Sequence, residues 1–339
     1  MANEHMEELY NAMSMASSTL QRNIDGSMLT ALTEVAEDLH AGDIHHEDGL
    51  PDAETTARLQ ELLSPLWAEQ YQPEEIRQAI QLVLVKVMQF DATEPNKQVT
   101  PDALATLATY LITLMLPQQP QELAVADLAV GTGNLLFAVI NALQEQTGAR
   151  VHGYGVDNDE DVLALAGVSA TLQRTDVDLY HQDALDTLVF GQVDVVVSDL
   201  PVGYYPLDER AAGFELAAKS GHSYAHHLLI EQALRQLKPG GLGMFYVPAN
   251  VFKTDESATL TQWLTKHAFF QGLLTLPESM FSSPDAQKSL LFLQKPGAGA
   301  RQATQVLLGE FPQLDNSEGL KQFVSAVQSW YQANIQLGD

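Results

Sequence analysis

The chain has 339 residues and a mass of 37.1 kDa, and 45% of its residues are apolar, which is enough for one large domain or two ordinary ones. It contains no cysteine, and this excludes disulfide scaffolds, zinc–thiolate sites, iron–sulfur clusters and cysteine nucleophiles. No stretch approaches the roughly 20 apolar residues that cross a bilayer, and residues 1–10 have no signal-peptide core. We therefore expect a cytoplasmic protein without membrane contact.

The chain is strongly acidic. Seventeen basic and 44 acidic side chains give a net charge of −27, which repels polyanions such as nucleic acids. Residues 1–96 hold 18 acidic and 4 basic side chains, whereas residues 235–301 hold 7 basic and 4 acidic ones. A phosphate backbone would meet this basic stretch most readily, although composition alone favours ordinary solvated charge there.

The first 96 residues have the pattern of helices without strands. Apolar residues recur every three or four positions over residues 6–20, 28–39, 53–71 and 73–90. Pro73, followed by Glu74 and Glu75, is typical of a helix start. We predict a helical N-terminal domain over residues 1–96.

From residue 97, short β-branched runs alternate with helical stretches, which indicates a parallel α/β sheet. The predicted strands are residues 124–130, 151–157, 178–183, 193–199, 242–247, 270–276 and 289–294. Helix-length connections separate the first five, but the last two are joined by about a dozen residues with two prolines, too few for a crossover helix. We therefore predict an antiparallel seventh strand at the sheet edge, a domain over residues 97–301, and a strand–helix extension over residues 302–339.

A glycine-rich turn follows the first predicted strand. The segment AVADLAVGTGNLLFAV leads through Gly131 and Gly133 into a helix that begins near Asn134. Glycines let backbone N–H groups approach a ligand closely, but Leu136 replaces the third glycine of the dinucleotide fingerprint, which counts against pyrophosphate binding. Asp127 lies where it can hold a cationic amino group. A purely structural turn is the alternative.

Two further acids follow the next two strands. Asp157, followed by Asn158, can accept the hydroxyls of a ribose, and Asp183, followed by Ala184, can accept the exocyclic amine of an adenine. Each acid singly is more often a helix cap than a ligand. Together, however, they follow successive strands at the sheet edge where open α/β folds bind ligands.

The fourth strand ends in the turn DLPVGYYP. Asp199 and the carbonyl of Leu200 could accept hydrogen bonds from an NH₂ group in front of the stiff Pro201, while Tyr204 or Tyr205 stacks on a planar ring. A capped Pro-Gly turn is the alternative.

In this order, the motifs resemble class I S-adenosylmethionine-dependent methyltransferases, and among them the N6-adenine DNA methylases related to the modification subunits of type I restriction systems. The matching segments are NKQVTPDALATLATYL, DLAVGTGN, GVDND, QDAL, SDLPVGYYP, HHLLIEQALRQLKPGGLGMFYVP, LLTLPESMF and KSLLFLQK. The resemblance covers residues 97–296. It implies a seven-stranded, mostly parallel Rossmann-like sheet with an antiparallel last strand, preceded by a small all-α domain.

The resemblance also implies a cofactor, S-adenosylmethionine, and a role for each matching residue. Thr100 and Pro101 would flank the methionine part of the cofactor. The remaining cofactor positions would be Asp127, Ala129, Gly131, Gly133, Asn134, Asp157, Asn158, Asp183 and Ala184. The catalytic positions would be Asp199, Leu200, Pro201 and Tyr204. Leu200 and Val202 depart from the family pattern, which has a proline and an aromatic residue at these positions.

Three functions remain open at this stage: methyl transfer to adenine in DNA, transfer to RNA, protein or a small molecule, and a non-catalytic cofactor-binding or interaction protein. Only about 45 residues follow Gln294, so DNA recognition would need the N-terminal helices or a partner subunit. These helices could also form a homodimer. No metal site is expected, because the neighbouring His226 and His227 suit helix packing better than one shared ion.

Overall fold

The structure, a computed structural model, describes residues 2–66, 71–91, 100–116, 120–281, 283–297 and 299–336. The predicted boundary between residues 96 and 97 lies outside the described residues, as do residues 96–99 of the segment NKQVTP. Among the described residues, no helix is long and apolar enough to span a bilayer.

The described residues of the N-terminal part form four α-helices: α1 (Ala2–Gln21), α2 (Met28–Ala41), α3 (Ala53–Leu63) and α4 (Pro73–Phe90). The side chains of Ser27 and Asp52 cap α2 and α3 by accepting from the N–H groups of Thr30 and Thr55. The predicted helix over residues 53–71 is too long. It ends at Leu63 in a 3₁₀ turn (Ser64–Leu66), because Pro65 cannot continue an α-helical ladder.

The remaining helices are α5 (Asp102–Met115), α6 (Asn134–Thr147), α7 (Glu160–Gln173), α8 (Asp208–Ala211), α9 (Ala225–Gln236), α10 (Ser257–His267) and α11 (Ser317–Asn334). Leu165 and Val168 of α7 are buried in the same apolar cluster as Leu32, Val35 and Ile80 of the N-terminal helices. The N-terminal helices therefore share a core with one face of α7.

The strands are β1 (Glu122–Asp127), β2 (Arg150–Asp157), β3 (Val177–His181), β4 (Val193–Asp199), β5 (Leu237–Pro248), β6 (Phe269–Thr275), β7 (Lys288–Gln294) and β8 (Leu307–Glu310). They form one sheet in the order β3-β2-β1-β4-β5-β7-β6-β8. All neighbours pair in parallel except β7, which is antiparallel to both β5 and β6. The predicted fold class, a mostly parallel α/β sheet with an antiparallel strand, is confirmed, with one additional strand.

The predicted edge position of β7 is wrong. After β5, the chain passes through α10 and enters the sheet again as β6, which does not pair with β5. The next strand, β7, runs back between them and pairs with both β5 and β6. The edge is instead β8, which pairs in parallel with β6.

The predicted helix-length connection between the third and fourth strands is also wrong. Residues 182–192, all of them described, form turns. Phe190 covers the sheet there instead of a helix, since its ring stacks on Tyr154 and Tyr180 at centroid distances of 4.6 and 5.6 Å. The side-chain amide of Gln232 on α9 fixes this loop by donating to the carbonyls of Ala184 and Asp186.

The C-terminal extension is part of the sheet domain's core. Val327 and Trp330 of α11 are buried in the cluster that covers one face of the sheet. The indole N–H of Trp330 donates to the carbonyl of Gln305 at 2.6 Å, which holds α11 to the segment before β8.

Candidate functional site

A cleft of about 730 Å³ lies at the carboxyl ends of the parallel strands. Because these ends meet at one sheet edge, the acids that follow β1, β2, β3 and β4 all line it: Asp127, Asp157, Asp183 and Asp199. The other predicted cofactor positions on the cleft are Thr100, Pro101, Ala129, Gly131, Asn134, Asn158 and Ala184. Among the described lining residues, Gly133 alone of the predicted cofactor set is missing.

Asp127 is the most buried acid of the cleft, with 1% of its surface exposed. Burial raises its pKa to about 7, although the N–H of Ala129, which donates to Oδ1 at 3.0 Å, and the Ser198 hydroxyl oppose the shift. The negative charges of Asp199 and Asp157 raise the pKa further. Among the described residues, no cationic side chain pairs with this carboxyl group. A cationic group of a bound ligand would therefore stabilise its charged form.

Asp157 fastens the glycine turn to β2. The N–H of Gly131 donates to its Oδ2 at 2.8 Å, and the N–H of Asp159 donates to Oδ1 at 3.1 Å. Burial raises the pKa of Asp157, and these backbone donors oppose the shift. Since a carboxylate offers about four lone-pair sites, Asp157 can still accept hydrogen bonds from the hydroxyl groups of a ligand.

Gly133 has a packing role. It has a φ of +83° at the start of α6, and a Cβ atom there would lie 2.3 Å from the ring of Phe137. Gly131 also has a positive φ, +52°, but a Cβ atom there would meet nothing within 4 Å. The two glycines of the motif thus serve different purposes, since only Gly131 faces the cleft.

Asp183 accepts hydrogen bonds from two side chains of the segment after β4 and from one backbone N–H of its own loop. Arg210 donates to its Oδ2 at 2.7 Å, the hydroxyl of Tyr205 donates to the same oxygen, and the N–H of Leu185 donates to Oδ1. Burial and the Asp183 carboxylate raise the pKa of Tyr205 to about 12. Tyr205 lines the cleft beside the position predicted for an adenine ring.

Asp199, the predicted catalytic acid, has two side-chain partners. The hydroxyl of Thr100 donates to Oδ2 at 2.9 Å, and the ammonium group of Lys288 forms an ion pair with Oδ1. Its carboxylate is therefore fixed between α5 and β7. Pro201 lines the cleft, whereas Leu200 is buried with 1% exposure and its N–H donates to the carbonyl of Tyr246.

Tyr204 lies outside the group that the structure brings together. It is 61% exposed and is not among the described residues that line the cleft. Its ring stacks on Tyr224 at a centroid distance of 4.8 Å, and Val202 beside it is 37% exposed. The aromatic position that Val202 vacates is therefore not filled by Tyr204 inside the cleft.

Lys288 is the main site residue absent from the sequence prediction. Of the described residues that line the cleft, it is the only lysine or arginine. A signal for it existed, because the first residue of an antiparallel strand lies at the edge where the parallel strands end. Met280 and Phe281, from the turns between β6 and β7, complete this wall.

The chain matches two protein families. Residues 82–327 match the family described as N-6 DNA Methylase. The chain belongs to the N-6 DNA methylase family. Residues 7–88 match the YtxK N-terminal helical domain.

This family member is similar to other proteins in sequence and in fold. The chain is 36% identical over 331 residues to the uncharacterised YtxK protein of Bacillus subtilis strain 168, which is 98% of this chain and 99% of the relative. A Listeria monocytogenes protein, proposed to be a class I S-adenosylmethionine-dependent methyltransferase, has a crystal structure with a TM-score of 0.90 at 36% identity, covering 97% of this chain and 99% of that one. The methyltransferase subunit of a type I restriction–modification system from Streptococcus thermophilus has a TM-score of 0.69 at 15% identity, covering 96% and 93%.

The family and the fold confirm the recognition made from the ordered motifs, an N6-adenine DNA methylase-like class I methyltransferase. The roles assigned to individual residues remain predictions.

In this methylase, the basic stretch of residues 235–301 serves mainly internal contacts. Lys238 pairs with Asp194, Arg235 pairs with Glu231, and Lys288 pairs with Asp199. The ammonium group of Lys295 donates to the carbonyls of Arg235 and Leu237. Lys253, Lys266 and Arg301 are the exposed members that remain for an external partner.

The two histidine pairs of the methylase differ in exposure, because His226 and His227 are buried and His45 and His46 are exposed. His226 and His227 are each 2% exposed in the first turn of α9, and burial lowers their pKa values to about 3 and about 4. His46 contacts the carbonyl of Ile44 and the hydroxyl of Thr56. Within the described residues, no group of His, Cys, Asp or Glu is arranged to hold a metal ion.

We expect Asp127→Asn to flatten the pH dependence of stability. The native carboxyl binds its proton more tightly than the unfolded one, so the free energy of unfolding of the wild type falls as pH rises from about 4 to about 7. In the wild type, this effect lowers the free energy of unfolding by up to about 1.4 kcal/mol per pH unit, and the substitution should remove it. Urea unfolding between pH 5 and 8 measures it, with the exposed Asp255→Asn as control, and equal slopes for wild type and Asp127→Asn would contradict the assignment.

We expect Gly133→Ala to destabilise the protein more than Gly131→Ala. Both substitutions force a left-handed residue, at about 1–2 kcal/mol, but only Gly133→Ala adds a clash with Phe137, at about 1–3 kcal/mol. Urea unfolding of the two variants under identical conditions gives the difference. Equal losses would show that Phe137 moves aside freely.

Proposed function

We propose that this chain transfers a methyl group from S-adenosylmethionine to an exocyclic amine, with N6 of adenine in DNA as the first candidate acceptor. The enzyme class is that of its family, the S-adenosylmethionine-dependent methyltransferases. The convergence of four strand-end carboxylates on one cleft, beside a glycine turn, supports the proposal most directly.

The cleft fits the cofactor of this class. S-adenosylmethionine supplies an electrophilic methyl group on a sulfonium when it is bound. In our assignment, Asp127 accepts from the cationic amino group, Asp157 from the ribose hydroxyls, and Asp183 from the adenine amine. The cleft volume of about 730 Å³ is within the usual range for small-molecule sites. The supporting positions are Thr100, Pro101, Ala129, Gly131, Asn134, Asn158 and Ala184.

At the other end of the cleft, Asp199 would orient the acceptor amine. The Lys288 ammonium balances its charge, and the lone pairs that Thr100 and Lys288 leave unused can accept from an NH₂ group. The carbonyl of Leu200 would accept a second hydrogen bond, and Pro201 stiffens the turn. The acceleration would then come from positioning and from electrostatic complementarity rather than from a covalent enzyme intermediate.

An adenine inside duplex DNA would first have to leave the base stack. The exposed Tyr204 stacks on the half-buried Tyr224, which directly precedes Ala225 of the cleft, and Tyr204 could stack on the displaced or the flanking base. With a net charge of −27, we expect weak or partner-assisted DNA contact. The proposed setting is the cytoplasm, with a partner subunit or a second copy bound through α1–α4.

Transfer to RNA, protein or a small molecule is the second candidate. It is favoured by the internal use of Arg235, Lys238, Lys288 and Lys295, which leaves little basic surface for a duplex. A non-catalytic cofactor-binding protein is the third candidate, favoured by the substitutions at Leu200 and Val202.

Methyl transfer from tritiated S-adenosylmethionine would separate these candidates. The acceptors are unmethylated duplex DNA, single-stranded DNA, RNA and a protein lysate, and mass spectrometry of the digested product identifies the methylated group. We expect N6-methyladenine, and we expect Asp199→Ala to lower the rate by about 100-fold or more because the amine loses its oriented acceptor. Asp199→Asn keeps one acceptor oxygen and should retain part of the rate.

The matched control is Asp285→Ala, because Asp285 is an exposed acid outside the cleft. A rate that survives Asp199→Ala would contradict the role of Asp199. If the chain binds the cofactor but transfers the methyl group to none of these acceptors, the result would contradict catalysis and favour the third candidate, a non-catalytic cofactor-binding protein.

A further inference from the structure

A buried arginine joins the N-terminal helices to the methyl-transfer cleft. Arg77 of α4 is 3% exposed. Its guanidinium donates to both carboxylate oxygens of Asp102 at 2.9 and 3.0 Å, to Glu74 at 2.9 Å, and to the side-chain oxygen of Asn134 at 2.6 Å. Asp102 begins α5 and Asn134 begins α6, so one side chain ties three helices together.

The contact continues from Asn134 into the cleft. The side-chain amide of Asn134 donates to the carbonyl of Thr100 at 2.7 Å, and the hydroxyl of Thr100 donates to Asp199 at 2.9 Å. A second α4 side chain, Gln81, also reaches the carbonyl of Thr100, at 3.5 Å. Thr100 is thus held from the side of α4 and in turn holds Asp199.

Stability alone is a weak reason for such an arginine. Taking a guanidinium out of water costs several kcal/mol, and well-packed apolar residues often stabilise a protein as well or better. Burial lowers the pKa of Arg77, but hydrogen bonds and charges from Glu74 and Asp102 outweigh this and raise it above its ordinary value. The side chain therefore stays cationic, with fixed geometry.

We propose that Arg77 is a positioning residue: through Asn134 it fixes Thr100, and through Thr100 it fixes the carboxylate of Asp199 at the end of the cleft where methyl transfer occurs. The N-terminal helical domain is then a working part of the site rather than only a docking arm. This inference rests on the proposed function, because it takes the cleft to bind S-adenosylmethionine.

The test is the dissociation constant of S-adenosylmethionine, because our assignment places Thr100 and Asn134 among the cofactor positions as well as in the chain of contacts to Asp199. It is measured by titration calorimetry on the whole chain well below its unfolding temperature. Arg77→Met should raise the dissociation constant about tenfold, because a tenfold change corresponds to the free energy of about one charge-assisted hydrogen bond. Arg77→Lys keeps the charge, but a single ammonium cannot hold Asp102 by two bonds and Asn134 at once. We expect it to bind several-fold more weakly than wild type.

Arg58→Met serves as the matched control, because it removes an exposed arginine of α3 whose partner is Glu61. It should leave the dissociation constant within about twofold of wild type. In ¹⁵N spectra, the side-chain amide signals of Asn134 should shift in Arg77→Met and stay in place in Arg58→Met.

The outcomes separate cleanly. If wild type binds the cofactor and both Arg77 variants bind it equally well, even with lowered urea midpoints, Arg77 is only structural and the inference is wrong. If Arg77→Met does not fold, Arg77→Lys with unchanged affinity overturns the inference by itself. If wild type binds no cofactor, the proposed function fails first and the inference fails with it.

Discussion

Four carboxylates lie at one edge of the sheet, where burial and their mutual repulsion both disfavour the charged form. The groups that compensate for these two effects determine the structure of the site. Each acid has its own compensation. Asp157 has backbone N–H groups, Asp183 has Arg210 and Tyr205, and Asp199 has Thr100 and Lys288. Asp127 has hydrogen bonds but no cation among the described residues, and burial together with the charges of Asp199 and Asp157 raises its pKa. A cationic ligand at this point would complete the balance.

The groups that compensate for the charges of these acids come from separate elements of the fold. Lys288 stands at the start of β7, whose antiparallel course brings its first residue to the binding edge. Arg210 lies in α8, and Thr100 precedes α5 and is held from the side of α4. The N-terminal helices share a core with α7 and reach the cleft through Arg77. The site therefore depends on contacts between segments far apart in the chain.

The sequence was sufficient where local signals decide the structure. The α4 span of residues 73–90 and the β4 span of residues 193–199 were predicted to the residue, and the start of α6 was predicted near Asn134, where it lies. Proline, capping and strand patterning act within a few positions. The order of the strand-end acids followed from the same patterning, and parallel strands brought them to one edge.

Long-range geometry explains what the sequence could not show. The ion pair of Asp199 joins residues 89 positions apart, and the Arg77–Asn134 hydrogen bond joins residues 57 apart. The packing role of Gly133 depends on where the ring of Phe137 lies. The place of Tyr204 outside the cleft, where it stacks on Tyr224, and the inner place of β7 in the sheet are both results of tertiary packing.

Release of a proton on cofactor binding would show directly that the Asp127 carboxyl pairs with the cationic amino group of S-adenosylmethionine. At pH 6 a carboxyl group with a pKa of about 7 is mostly protonated, and pairing with an ammonium group should ionise it. Calorimetric titration with S-adenosylmethionine, repeated in buffers of different ionisation enthalpy, should then show release of most of one proton per site, and Asp127→Asn should abolish it. Binding without proton release, or no binding at all, would contradict the account.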